Sequence, residues 1–84
     1  MWKFVEPTEE QKIEQHYNAM LDSVMVISAI INGSEMTEAD QEDKIDAVDR
    51  NVRHLQIMLE RDFWTTEDMT PVNAAVAAGT AYIG

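Results

Sequence analysis

The sequence predicts an all-α protein: an antiparallel helical hairpin closed by a short third helix, with an extended N-terminal arm and a C-terminal tail. In two long segments, apolar residues recur at alternating intervals of three and four, which is the spacing of one helix face. A short polar connection separates the two segments, so their apolar faces meet when the chain folds back. With 84 residues and no cysteine, the chain is expected to form one small domain without disulfides.

The first helix is predicted over residues 8–32 and follows an extended arm at residues 1–7. Thr8 and Gln11 match a capping box, in which the Thr8 hydroxyl accepts from the Gln11 amide and the Gln11 side chain accepts from the Thr8 amide. Gly33 ends the helix, because glycine readily adopts the left-handed conformation that closes a helix C-terminus. The apolar face of this helix comprises Ile13, Tyr17, Met20, Val24, Ile27 and Ile31.

The second helix is predicted over residues 37–63, with Thr37 as its cap. Two pairs in this helix, Asp46 with Arg50 and Asp49 with Arg53, are four residues apart in the acid-first order, which favours ion pairs on the helix surface. The apolar face again follows the helical spacing and comprises Ile45, Val48, Val52, Leu55, Leu59 and Phe63.

A third, shorter helix is predicted over residues 70–79. Thr70 is the expected cap and Pro71 takes the first helical position, where its missing N–H is not needed. Gly79 is expected to end this helix, which leaves residues 80–84 as the C-terminal tail.

The charge of the chain excludes several classes of function. Sixteen acidic and six basic side chains give a formal net charge of −10. Because phosphate binding depends on Lys and Arg, we expect no direct binding to nucleic acid or to an anionic membrane. The longest apolar-rich run, residues 20–31, is shorter than the ~20 residues that cross a bilayer, so no membrane insertion is expected. No signal peptide is visible, so we expect no secretion by that route.

The first helix is apolar over more of its surface than one partner helix would cover. Leu21 and Met25 lie to one side of its main face, and Val26 and Ile30 lie to the other. Two interpretations stay open: these side chains complete a three-helix core, or they form a protein interface, most simply a symmetric dimer. The candidate interface residues are Trp2, Phe4, Leu21, Met25, Val26, Ile30, Trp64 and Tyr82.

Acidic residues are concentrated between positions 35 and 49. A run of this kind is typical of a solvated helix face, and it lacks the turn glycine of a calcium-binding loop. The functional alternative is a binding site for a basic partner, in which carboxylates replace phosphates. The candidate acidic face comprises Glu38, Glu42, Asp46 and Asp49.

No catalytic, cofactor-binding or metal-binding motif is recognisable, and we expect no enzyme. Neither His16 nor His54 has a glutamate three residues before it, so the Glu-x-x-His pattern of di-metal helical bundles is absent. An antiparallel hairpin brings both histidines to the end away from the connecting loop, and a metal site completed by Glu14 or Glu60 is the weakest hypothesis. No histidine or lysine stands in a recognisable catalytic pattern with the serines Ser23, Ser28 and Ser34.

Residues 51–68 resemble segments of small uncharacterised acidic proteins of tailed bacteriophages. This stretch reads NVRHLQIMLERDFWTTED, and the resemblance extends to the opening Met1-Trp2. It assigns no site residue, but it implies a class: a virion component, an assembly factor or a protein that binds a host factor. The location it implies is cytoplasmic or virion-associated.

We therefore expect a non-catalytic protein–protein interaction module, acting as a small viral structural or assembly component. Its partner is another protein, with a second copy of the chain as one candidate. The alternative is an acidic inhibitor that mimics nucleic acid and binds a basic host protein.

Overall fold

A computed structural model describes residues 6–84, which fold into a helical hairpin closed by a third helix. The helices are α1 (Glu9–Ile31), α2 (Gln41–Leu59) and α3 (Thr70–Ile83), and each packs against the other two. The prediction of an all-α hairpin is confirmed. Within residues 6–84, no helix combines the length and the apolar character that crossing a bilayer requires.

The N-terminus of α1 is held by the predicted capping box. The Gln11 amide donates to Thr8 Oγ1 at 3.1 Å, and the Thr8 amide donates to Gln11 Oε1 at 2.8 Å. At the other end, Gly33 takes a left-handed φ of 78°, which turns the chain so that the Ser34 amide donates to the Ala29 carbonyl at 2.9 Å. Both ends of α1 are therefore set by the residues that the sequence indicated.

The start of α2 differs from the prediction: the helix begins at Gln41 instead of residue 37. Met36 adopts a left-handed φ of 56°, and its carbonyl accepts from the Ala39 amide at 3.0 Å in a tight turn. The cap is Asp40, whose Oδ1 accepts from the Asp43 amide at 2.9 Å. Thr37 is therefore not the cap, because the turn after Met36 occupies the residues that would have formed the first helical turn.

The end of α2 also differs, since the helix stops at Leu59 and not at residue 63. The Arg61 amide donates to the Met58 carbonyl at 3.1 Å, which tightens the last turn. Trp64 Nε1 donates to the same carbonyl at 2.7 Å. The indole therefore takes the acceptor that a further helical turn would have used.

Helix α3 is longer than predicted and continues through Gly79 to Ile83, so residues 80–83 are helical and not a tail. Gly79 does not end the helix, because it is buried where α3 crosses α2 and a Cβ there would overlap Val52 Cγ2. At the start of α3 the N-cap residue is Met69 and not Thr70, and Asp68 Oδ1 accepts from the Thr70 amide at 2.9 Å. The helix carries no charged side chain.

The core lies where the three helices meet. Ser23 and Ile30 of α1 are buried, at 7% and 3% exposure, although neither belongs to the predicted apolar face. Ile13, Tyr17, Val24 and Ile31 of that face are only half-buried. The largest fully buried side chains are Met20, Ile27, Val48, Leu55 and Val72.

Candidate protein interface

An apolar groove runs along α1 beside the loop that leads to α2. Met25 and Val26 are 68% and 40% exposed there, whereas Ile30 is a core residue. The groove has a volume of about 420 Å³. We call it the α1 groove, and its lining residues are Asp22, Met25, Val26, Ala29, Ile30, Glu35 and Met36.

The spacing of residues on α1 explains how the helix builds one wall of this groove. Asp22, Met25, Val26 and Ala29 are separated by three, four and seven residues, so they share one face of the helix. Met36 closes the other side from the loop, where its left-handed backbone turns the chain back and its side chain is half-buried against the core. The groove therefore depends on the turn at Met36 as well as on α1.

A second groove adjoins the first at Met36. We call it the acidic groove; it has a volume of about 480 Å³ and is lined by Met36, Asp43, Asp46, Asp49 and Arg50. Asp49 Oδ2 also lies 3.0 Å from Arg53 Nε, which confirms one of the two ion pairs expected from the sequence, while Asp46 and Arg50 form no ion pair. Of the predicted acidic face, Asp46 and Asp49 line this groove, while Glu38 and Glu42 are exposed outside its lining.

The predicted interface residues of α1 are separated by the fold. Sequence spacing assigned Met25 and Val26 to opposite flanks of the helix, but the two side chains line the same groove. Ile30, at 3% exposure, belongs to the core, so the core interpretation holds for this residue. Leu21 is half-buried and is not part of the groove lining. Ile57 of α2, which is 55% exposed, was missed because it lies outside the predicted apolar face.

The side chain of the aromatic candidate Trp64 packs against other residues of the same chain. Its ring centroid lies 4.7 Å from that of Phe63 and 6.3 Å from that of Tyr17, with both pairs edge to face. The indole N–H is satisfied by the Met58 carbonyl. These contacts favour a structural role for Trp64, which covers the end of the hairpin.

The remaining aromatic candidates lie at the chain ends. Tyr82 is half-buried in α3, and its hydroxyl accepts from Gln41 Nε2 at 3.1 Å. Trp2 and Phe4 lie outside the described residues.

The two histidines have different partners. His16 stacks on Phe63 with ring centroids 5.7 Å apart, whereas His54 Nδ1 lies 2.8 Å from Ser23 Oγ. Ser23, the partner of His54, lies seven residues beyond His16 on α1, a rise of about 10 Å. The two histidines therefore contact different levels of the hairpin. Among residues 6–84, the His, Cys, Asp and Glu side chains form no group of three or more arranged to hold a metal ion.

The Ser23–His54 pair was not foreseen from the sequence, because the two residues are 31 positions apart and no local pattern links them. A hydroxyl and an imidazole at this distance are also two of the three members of a catalytic triad, but in a triad the hydroxyl must be able to reach a substrate. Ser23 is 7% exposed and faces α2, so its hydroxyl is enclosed by the helix pair. The contact is a hydrogen bond that links α1 to α2.

The turn before α3 carries the two carboxyl groups whose pKa is shifted. The Thr65 amide lowers the pKa of Glu67 most, because it donates to Oε2 at 2.9 Å, and the Thr66 amide donates at 3.2 Å. The pKa of Asp68 is lowered by the amide and then by the hydroxyl of Thr70. Both carboxylates are therefore used to order the turn.

Comparison with protein-family models, with curated proteins and with solved structures finds no match to this chain. Its function is therefore inferred from its own residues.

Proposed function

We propose that this chain is a non-catalytic protein–protein interaction module that binds its partner in the α1 groove. The observation that supports this most is the exposure of Met25 and Val26 side by side over an apolar floor. Complete burial of such a side chain from water contributes about 1.5–3 kcal/mol, and binding of a partner gains the share that belongs to the part still exposed.

The resemblance of residues 51–68 supplies the biological setting of this proposal. In that setting the chain would be a small structural or assembly component of a bacteriophage, acting in the host cytoplasm or on the virion. The groove would then join it to another component of the particle.

A second candidate function is inhibition of a basic host protein by mimicry of nucleic acid. It is favoured by the acidic groove, where Asp43, Asp46 and Asp49 lie together. Two cations reduce its negative charge, since Arg50 lines the same groove and Arg53 is paired with Asp49. A complex of this type weakens steeply with added salt, and a salt-insensitive complex would count against it.

The proposed function is tested by selecting binders from a random peptide library displayed against the immobilised full chain. Selected peptides are then measured against the double variant Met25→Gln/Val26→Gln. The control is Ile57→Gln, which removes an aliphatic side chain that is 55% exposed and lies outside both grooves. We expect peptides that bind the wild type and the control alike and that bind the groove variant about tenfold more weakly.

Circular dichroism of both variants checks that the helices are intact. If the library yields no binder, or if its binders tolerate the groove variant, the α1 groove is not an interaction site and the proposal is wrong.

A further inference from the structure

Building on the proposed function, we infer that the partner segment is a cationic amphipathic helix. Its apolar side chains fill the α1 groove, and its Lys or Arg side chains reach Asp22, Glu35 and the acidic groove. This inference specifies the chemistry of the partner, which the proposed function leaves open.

The apolar part of the inference follows from the shape of the α1 groove. Met25, Val26 and Ala29 form its wall, Ile30 forms its floor, and Met36 closes it. A volume of about 420 Å³ admits a few leucine-sized side chains. A helix offers such side chains on one face at intervals of three and four residues, which matches an elongated groove along α1.

The cationic part follows from the charges around that groove. Its lining contains two carboxylates, Asp22 and Glu35, and both residues are exposed. The adjoining acidic groove adds Asp43, Asp46 and Asp49, whose charge is reduced by Arg50 in the lining and by Arg53, which is paired with Asp49. Positive side chains on the partner would complement this surface and would speed association with it.

The two grooves are neighbours, because Met36 lines both. One bound segment therefore meets apolar surface on one side of Met36 and carboxylates on the other. An amphipathic helix carries charged residues along the borders of its apolar face, so one helix can contact both grooves.

The same charges disfavour a second copy of the chain in the groove. A symmetric dimer is formed by the same patch of both chains, so two copies of Asp22 and two copies of Glu35 would be brought into one interface. The net charge of −10 adds to this repulsion.

The test uses three synthetic peptides of about five helical turns each. The first has leucine on one helical face and lysine on the other. The second has the same composition in an order that destroys the apolar face. The third replaces every lysine by glutamate. Binding to the full chain is measured by isothermal titration calorimetry at low and at high salt. We expect the first peptide to bind about tenfold or more tightly than either of the others.

Matched variants separate a specific site from general attraction. Asp22→Asn/Glu35→Gln removes two charges from the α1 groove, whereas Glu14→Gln/Glu60→Gln removes two exposed charges elsewhere. We expect the groove pair to weaken the leucine–lysine peptide about tenfold and the control pair to leave its affinity nearly unchanged. Met25→Gln/Val26→Gln is expected to weaken it similarly, and Ile57→Gln is not.

Several outcomes would overturn the inference. Equal binding of the scrambled peptide would mean that the apolar groove is not used, and equal losses in the two charge pairs would mean that only net charge attracts the peptide. Library selection that yields groove binders without basic residues would leave the proposed function intact and reject the cationic partner. A wild-type dimer in light scattering that Met25→Gln/Val26→Gln abolishes would identify the occupant as a second copy.

Discussion

Gly79 of α3 packs directly against Val52 of α2, so closely that a Cβ at position 79 would overlap Val52 Cγ2. The same Cβ would lie 3.2 Å from Val48 Cγ1 and 3.5 Å from Ile27 Cγ2. The missing side chain therefore allows α3 to approach both helices of the hairpin at one point.

We predict that Gly79→Ala lowers the free energy of unfolding by about 1–3 kcal/mol, because the added methyl group overpacks this contact. The direction is informative, since replacing glycine by alanine inside a helix otherwise stabilises by about 1 kcal/mol. Urea unfolding monitored by circular dichroism measures the change.

Two further variants locate the cause. Thr80→Ala changes the exposed neighbouring residue and is expected to leave stability within about 0.5 kcal/mol of wild type. Val52→Ala should relieve part of the loss when combined with Gly79→Ala, which gives a favourable coupling in the double-mutant cycle. A more stable Gly79→Ala protein would show that α3 does not pack at this distance.

The hydrogen bond between Ser23 and His54 should contribute measurably to the hairpin. We expect a double-mutant cycle of Ser23→Ala and His54→Ala to give a coupling of about 0.5–1.5 kcal/mol, the usual net contribution of such a bond. The control cycle combines Ser28→Ala with His54→Ala, because Ser28 is exposed on α1. Similar couplings in both cycles would mean that the pair at 2.8 Å adds nothing specific.

Aspartate substitutions should distinguish core from groove on α1. Ile30→Asp is expected to abolish the fold or to lower its stability by more than about 4 kcal/mol, because it places a charge at a site with 3% exposure. Val26→Asp is expected to keep the helices, since that position is 40% exposed. Circular dichroism measures both, and a folded Ile30→Asp protein would contradict the burial of this side chain.

The turn before α3 should loosen in acid. Folding lowers the pKa of Glu67 and Asp68, so their stabilising effect is present above the ordinary carboxyl pKa, about 4, and is lost as the pH falls through the lower folded values. The protection factors of the Thr65, Thr66 and Thr70 amides, which compare the measured exchange rate with the intrinsic rate at the same pH, should therefore fall in that range.

Glu67→Gln is expected to remove this pH dependence at Thr65 and Thr66 and to leave that of Thr70 unchanged. The exposed Glu14→Gln serves as the control for the lost charge. An unaltered pH profile in Glu67→Gln would show that its carboxylate does not hold the turn.

The helices and the first cap could be predicted because their signals are local. Thr8 and Gln11 stand at capping-box spacing, and Gly33 follows the last apolar residue of α1. The apolar spacing within each segment likewise predicted the hairpin, since a helix face is defined by neighbours three and four residues apart.

The remaining boundaries depend on contacts between distant residues. Gly79 looks like a helix stop, but its contact with Val52 makes it part of a helix crossing. Phe63 continues the spacing of α2, but the turn that closes on the Met58 carbonyl ends the helix before it. Local spacing carries no information on either contact.

The candidate site was predictable only in part for the same reason. Met25 and Val26 were recognised as surplus apolar surface, but their shared groove requires Met36 from the loop. Met36 lines both grooves from a turn in which its own backbone is left-handed. The sequence does not indicate this conformation, because it is uncommon for residues other than glycine and asparagine.

The absence of charge on α3 has a consequence for how a partner arrives. All Asp, Glu, Lys, Arg and His side chains belong to residues 1–69, so α3 is a neutral strip on an otherwise strongly anionic molecule. A cationic molecule diffusing towards the protein is drawn to the hairpin and not to α3, and the encounter is oriented before any contact forms. Added salt would then slow the association rate, while the dissociation rate would be governed by the apolar contacts at Met25 and Val26.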